Sequence, residues 1–187
     1  MQSVRNDVTL PAPTTLVSWG VKPIVIQAGL LLSAAVLLPA LAHMLGLPVR
    51  RILPMHWAVL LAGLVYGWRS GLLIGLAAPG LSHLLNGMPA LGILPSMSVE
   101  LAVYGMLAGL FRQVLRLNLF VAIALALVIG RVAFVITASL TGGYQTSLAE
   151  YLRVAMVPGA LAALAQFVIL PLIALLWVGR GDESRSR

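Results

Sequence analysis

Cysteine is absent from this 187-residue chain, so it has neither disulfides nor thiolate metal ligands. Acidic residues are almost as scarce: five Asp and Glu stand against twelve Lys and Arg, and charged residues make up only 9% of the sequence. What remains is 60% hydrophobic, with a mean hydropathy of +1.02. No soluble domain of this size has enough interior to hide that much apolar surface, and the composition is that of an integral membrane protein.

The missing motifs exclude as much as the missing residues. There is no H-E-x-x-H, no G-x-S-x-G and no phosphate-gripping glycine loop. The hydroxyls Ser33, Ser82, Ser96, Ser98 and Thr137 have no base partner visible in the sequence. An enzyme is therefore not expected, no cofactor is implied, and ATP-driven work would need a partner. The net charge of +7 suits nucleic acid only if it clusters with aromatic residues, whereas here the charges sit singly between apolar runs. His43, His56 and His83 fall near helix ends on one side, but share no ligand spacing and have no accompanying carboxylate, so a metal site is not expected.

What is there is a series of apolar runs, at roughly 24–45, 55–68, 70–86, 97–111, 118–138 and 155–178. The separators GLPVRR (46–51), GWRSG (67–71), NGMPALGILP (86–95), RQVLRLN (112–118) and TGGYQTSLAEYLR (141–153) carry the turn and charge signals. Lys22, the run from Ile24 to Leu38 and Ala40-Leu41-Ala42 resemble a signal peptide, yet the polar lead-in is long and the run continues towards Leu45. A retained first helix is the better reading. Residues 1–22 then form a cytoplasmic tail or interfacial segment, 23–179 the membrane domain, and 180–187 a charged cytoplasmic tail.

The second and third runs fall short of the ~20 residues that a bilayer core requires. Charge argues for keeping them separate. With six spans and the N-terminus in the cytoplasm, the inner side receives Arg5, Lys22, Arg69, Arg112, Arg116, Arg180, Arg185 and Arg187. The outer side receives only Arg50, Arg51 and Arg153, as the positive-inside rule demands. The expected architecture is an all-α bundle of six transmembrane helices with both termini cytoplasmic. Pro79 and Pro171 predict kinks, and the outer loops at 86–96 and 139–153 are long enough to act as lids.

Arg131 stands inside the apolar run LVIGRVAFVITASL, where insertion scales put its cost at about 2.5–3.5 kcal/mol. Its expected place is the outer half of helix five. Glu100 lies about one turn into helix four, and Tyr104 follows four residues later on the same face. Gln166 lies mid-way along helix six, and His83 and Asn86 end helix three. Ionisable groups at this depth usually face the bundle interior and pair with each other or with a ligand. Two readings are open: a structural Glu100–Arg131 salt bridge with Gln166 as an interhelical hydrogen bond, or a ligand pocket. On helix one, Gly29, Ser33, Ala34 and Ala35 form a small-residue patch of the kind that lets another helix approach.

From Leu53 to Arg112 the pattern resembles that of the substrate-binding membrane subunit, or S component, of energy-coupling-factor (ECF) transporters. The features are the PMH opening of helix two, the G-x-x-x-G-W-R-S-G inner turn, the GMP outer loop and the V-E-L-A-x-Y-G-x-x-A-G run of helix four. The resemblance implies a six-helix subunit in the cytoplasmic membrane of a prokaryote that captures a vitamin or related micronutrient from outside. Its partners would be the lipid bilayer, a transmembrane T subunit and two cytosolic ATPases, with helix one docking through Gly29, Ser33 and Ala34. The family's Ala-x-x-x-Ala pair is not present there, since Pro39 stands four residues after Ala35. Ligand contacts would come from helices four to six and the outer loops. Arg131 would hold a carboxylate or phosphate and Glu100 a cationic nitrogen or hydroxyl, while Tyr104 and Tyr144 would stack on a ring. A ligand with both acidic and polar parts, pantothenate-like or pyridoxine-like, fits a paired Arg and Glu, and residue types leave cobalamin or another vitamin open. The rival expectation is a structural membrane scaffold of the MreD type, with no ligand.

Overall fold

The computed structural model describes residues 25–26, 29–30, 33, 37–48, 52–142 and 147–183. Among them lie six helices: α1 (Leu38–Met44), α2 (Pro54–Tyr66), α3 (Trp68–Asn86), α4 (Leu94–Gln113), α5 (Leu119–Thr141) and α6 (Leu148–Glu183). Among the described residues three stretches are long and apolar enough to cross a membrane: α4, α5 and Val157–Leu176 within α6. Apolar α2 is shorter, at 13 residues, or about 20 Å at 1.5 Å per residue. α3 has 19 residues and carries Arg69, Ser70, Ser82, His83 and Asn86. The described part of the expected first helix is α1 with scattered helical residues before it.

The second and third runs are separate helices, and the break is narrower than GWRSG suggests. Only Gly67 is non-helical, with φ 93° and ψ 173°, a conformation that a side chain resists. Trp68 already begins α3, and Arg69 stacks over its ring at 5.2 Å. The chain reverses at this residue. Gly63 of α2 and Gly71 of α3 both lie against Gly105 of α4, while Gly67 and Trp68 lie against Gly109. Further along, Gly75 meets Leu101 and Ala102. The two arms of the hairpin therefore run side by side along α4, α2 parallel to it and α3 antiparallel.

Glycine sets this packing. A Cβ at Gly63, Gly71, Gly75, Gly105 or Gly109 would run into backbone atoms of the neighbouring helix. Such contacts let helices meet through dispersion alone, which matters in lipid because no hydrophobic force draws them together. The core between α2, α4 and α5 is accordingly tight, with Val59, Leu60, Ala62, Leu101, Ala108, Ala122, Ile123 and Ala126 fully buried. The large apolar side chains of α5 and α6 that face outward, among them Val128, Val132, Leu140, Leu161, Leu164 and Leu176, form the surface that lipid would cover.

Helix ends follow local chemistry. Pro95 sits at the start of α4, where its missing N–H costs nothing, so α4 begins at Leu94 rather than near 97. Asn118 caps α5 by accepting the Phe120 N–H at 2.9 Å. Helix reaches into both ends of the expected outer loop at 139–153, as far as Thr141 on one side and from Leu148 on the other. Gly142 (φ 59°) ends α5, and the Ser147 hydroxyl accepts the Glu150 N–H at 3.3 Å. Ser147-x-x-Glu150 is the sequence of a capping box, which starts α6 earlier than its apolar run does.

Gly105→Ala is expected to destabilise the protein by about 1–3 kcal/mol through overpacking, read as a lower unfolding midpoint in detergent. Gly80→Ala, where an added Cβ meets nothing within 4 Å, should hold or raise the midpoint, since alanine is the better helix former.

Candidate functional site

Four helices converge at one end of the bundle. α2 contributes His56, its third residue, and α4 contributes Glu100 and Tyr104. From α5 comes Arg131, and α6 contributes Gly159, whose added Cβ would stand 3.3 Å from Arg131 Nη2. Gly130 makes the approach of α5 possible, since a Cβ there would strike the Tyr104 ring.

The Glu100 carboxylate is the centre. Its Oε1 accepts the Tyr104 hydroxyl at 2.9 Å and lies 3.1 Å from Arg131 Nη1. Its Oε2 lies 3.7 Å from His56 Nε2, and the His56 and Tyr104 rings are 5.5 Å apart. Arg131 also sits over the Phe134 ring at 5.6 Å. Burial differs across the cluster: His56 and Glu100 are 2% exposed and Tyr104 1%, while the Arg131 side chain is 18% exposed. A buried carboxylate is tolerable only when paired and hydrogen-bonded. Glu100 has both, so its neighbours hold it in place and it in turn fixes the guanidinium.

Of the residues expected from the sequence, the fold brings Glu100, Tyr104 and Arg131 together. Glu100 lies six residues after Leu94, deeper than one turn, because α4 starts early. Gln166 is 1% exposed and lies seven residues after Gly159 on α6, so it shares that face about 10 Å further along. His83 lies eight residues beyond Gly75, about 12 Å along α3 from its contact with α4. Its Nδ1–H donates to the Pro89 carbonyl at 2.8 Å, which ties down the loop after α3. Asn86 is the exposed last residue of α3. Tyr144 and Ala34 lie outside the described residues. Gly29 is exposed, with nothing near its Cβ position, and Ser33 is half-buried.

Sequence reasoning missed His56 as a member of this cluster, having weighed it only as a metal ligand. Among the described residues no group of three His, Asp or Glu side chains is placed to hold a metal ion. The available signal was an imidazole at the start of an otherwise apolar helix, PMHWAVLLAGLVY.

A family model described as ECF transporter, substrate-specific component, matches residues 24–178. No curated protein and no solved structure matches the chain.

The Glu100–Arg131 pair makes a testable unit. Arg131→Met alone should destabilise by about 3–5 kcal/mol at most, because it leaves a buried carboxylate short of its cation. Adding Glu100→Gln should restore part of that loss, so that a double-mutant cycle read by thermal unfolding gives a coupling of about 0.5–3 kcal/mol.

Proposed function

The chain belongs to the family of substrate-specific components of ECF transporters, and from that premise we propose that it captures a small water-soluble micronutrient of the vitamin class at the Glu100–Arg131 end of the bundle. Family membership makes it a transport subunit rather than an enzyme, working with T and ATPase subunits. In the proposed topology six spans place both termini in the cytoplasm of a prokaryote, and the cluster faces outward. The eight inner and three outer cations counted in the sequence support that orientation.

The observation that carries the reading is the graded burial of the cluster. Glu100 is enclosed by protein donors, whereas Arg131 alone among the four keeps a partly exposed side chain. Arg131 is then the contact for a ligand carboxylate or phosphate, a geometry that guanidinium suits. Glu100 is the anchor that aims it, in place of the cation contact that residue type alone suggested. Gln166, with a buried Nε2 that has no partner among the described residues, is a second donor to ligand. Capture would be followed by ATP-driven uptake, with two ATPases coupled through the T subunit and helix one docking by Gly29, Ser33 and Ala34. Family membership favours this reading over a ligand-free scaffold.

A thermal-shift screen of the detergent-purified chain against vitamins and their precursors tests it. A true ligand at 100 times its Kd should add about 2.7 kcal/mol to stability. In Arg131→Gln the shift should vanish while the protein still unfolds cooperatively; a shift of undiminished size would remove Arg131 from the site.

A further inference from the structure

His56 is the member of the cluster whose hydrogen bonding is left open. Most of the polar atoms around it are already committed, the exception being Glu100 Oε2, which lies 3.7 Å from His56 Nε2. Glu100 Oε1 takes two donors, the Tyr104 hydroxyl is spent on that oxygen, and Arg131 Nη1 is directed at it. The adjacent indole is satisfied as well, Trp57 Nε1–H donating to the Ile52 carbonyl at 2.9 Å. Ser96 Oγ donates to the Ile93 carbonyl, also at 2.9 Å. Yet among the described residues neither ring nitrogen of His56 has a hydrogen-bond partner. The 3.7 Å to Glu100 Oε2 is too long for a hydrogen bond.

Such groups are rare because burial strips them of water without replacement. Here the only other buried side-chain atom in that condition, among the described residues, is Gln166 Nε2. A packing role does not account for His56, since leucine would fill a site in apolar α2 without stranding two nitrogens.

We propose that His56 is a ligand-contacting, specificity-determining residue of the capture site, and that the ligand is a small acid bearing a hydroxyl or amide group. This rests on the capture reading above. A neutral imidazole offers one donor and one acceptor, and a hydroxyl or amide supplies the complement to both. Arg131, the partly exposed member, takes the acid group. A cationic ligand finds no free anion: Glu100 is already matched by Arg131, and the other described carboxylate at this end, Glu150, is exposed at the start of α6.

The test compares wild type, His56→Leu and His56→Gln of the full chain in detergent by thermal shift. The probes are pantothenate, pantoate, biotin and folate, acids that carry a hydroxyl or amide-type group, with thiamine as the cation. The expected result is an acid that stabilises wild type and binds His56→Leu at least tenfold more weakly. His56→Leu without additive should melt at or above the wild-type temperature, because two stranded nitrogens are gone. His56→Gln, which keeps a donor and an acceptor, should retain part of the response. The inference is overturned if His56→Leu melts several degrees lower, if the acid's shift survives in it, or if thiamine stabilises wild type. A wild type that responds to none of the five compounds overturns the capture of such an acid and the inference with it. A response that survives in His56→Leu overturns the inference alone.

Discussion

The backbone contact at Gly105 is the constraint on which the rest of the structure depends. Two glycines four residues either side of a reversal, Gly63 and Gly71, meet one glycine on α4. Because the helices touch at their backbones, neither can slide along or roll over the other without a collision. Register follows from that. Once Gly63 is level with Gly105, His56 is carried to the level of Glu100, and once Gly130 lies on the Tyr104 ring, Arg131 is carried to the same carboxylate. The contact that sets α2 against α4 is backbone on backbone, and the one that sets α5 uses only the ring of Tyr104.

That division of labour suits a membrane. In lipid, apolar side chains gain little from facing a neighbouring helix rather than an acyl chain, so close backbone packing and a few polar contacts hold the bundle. The polar contacts come at a cost, since an ion pair out of water repays its desolvation only with good geometry. A scaffold could meet the same structural need with apolar residues. In the proposed function, the carboxylate, guanidinium, phenol and imidazole at one bundle end serve ligand capture, in keeping with membership of a substrate-specific family.

Much of this was legible in the sequence because the underlying physics is local. Partition between water and lipid is a property of each run of residues, so the apolar stretches marked α4, α5 and the core of α6 without knowledge of their neighbours. The separation of α2 from α3 was likewise readable from Gly67 and the charge beside it. A spacing of four puts Glu100 and Tyr104 on one helix face whatever surrounds them. Helix ends were less legible where caps outran hydropathy: Ser147 starts α6 before its apolar run begins, and Pro95 draws α4 back to Leu94.

By itself, then, the sequence determined the membrane class, the helical segments and the face on which Glu100 and Tyr104 stand, since each depends on residues within a few turns of one another. Only the tertiary structure decided that His56 joins Arg131 around that carboxylate, that Glu100 is enclosed while Arg131 is partly exposed, and that His83 ties a loop instead. These facts depend on interhelical register, which glycine contacts set between residues some forty positions apart, as with Gly63 and Gly105. No window along the chain contains both sides of such a contact.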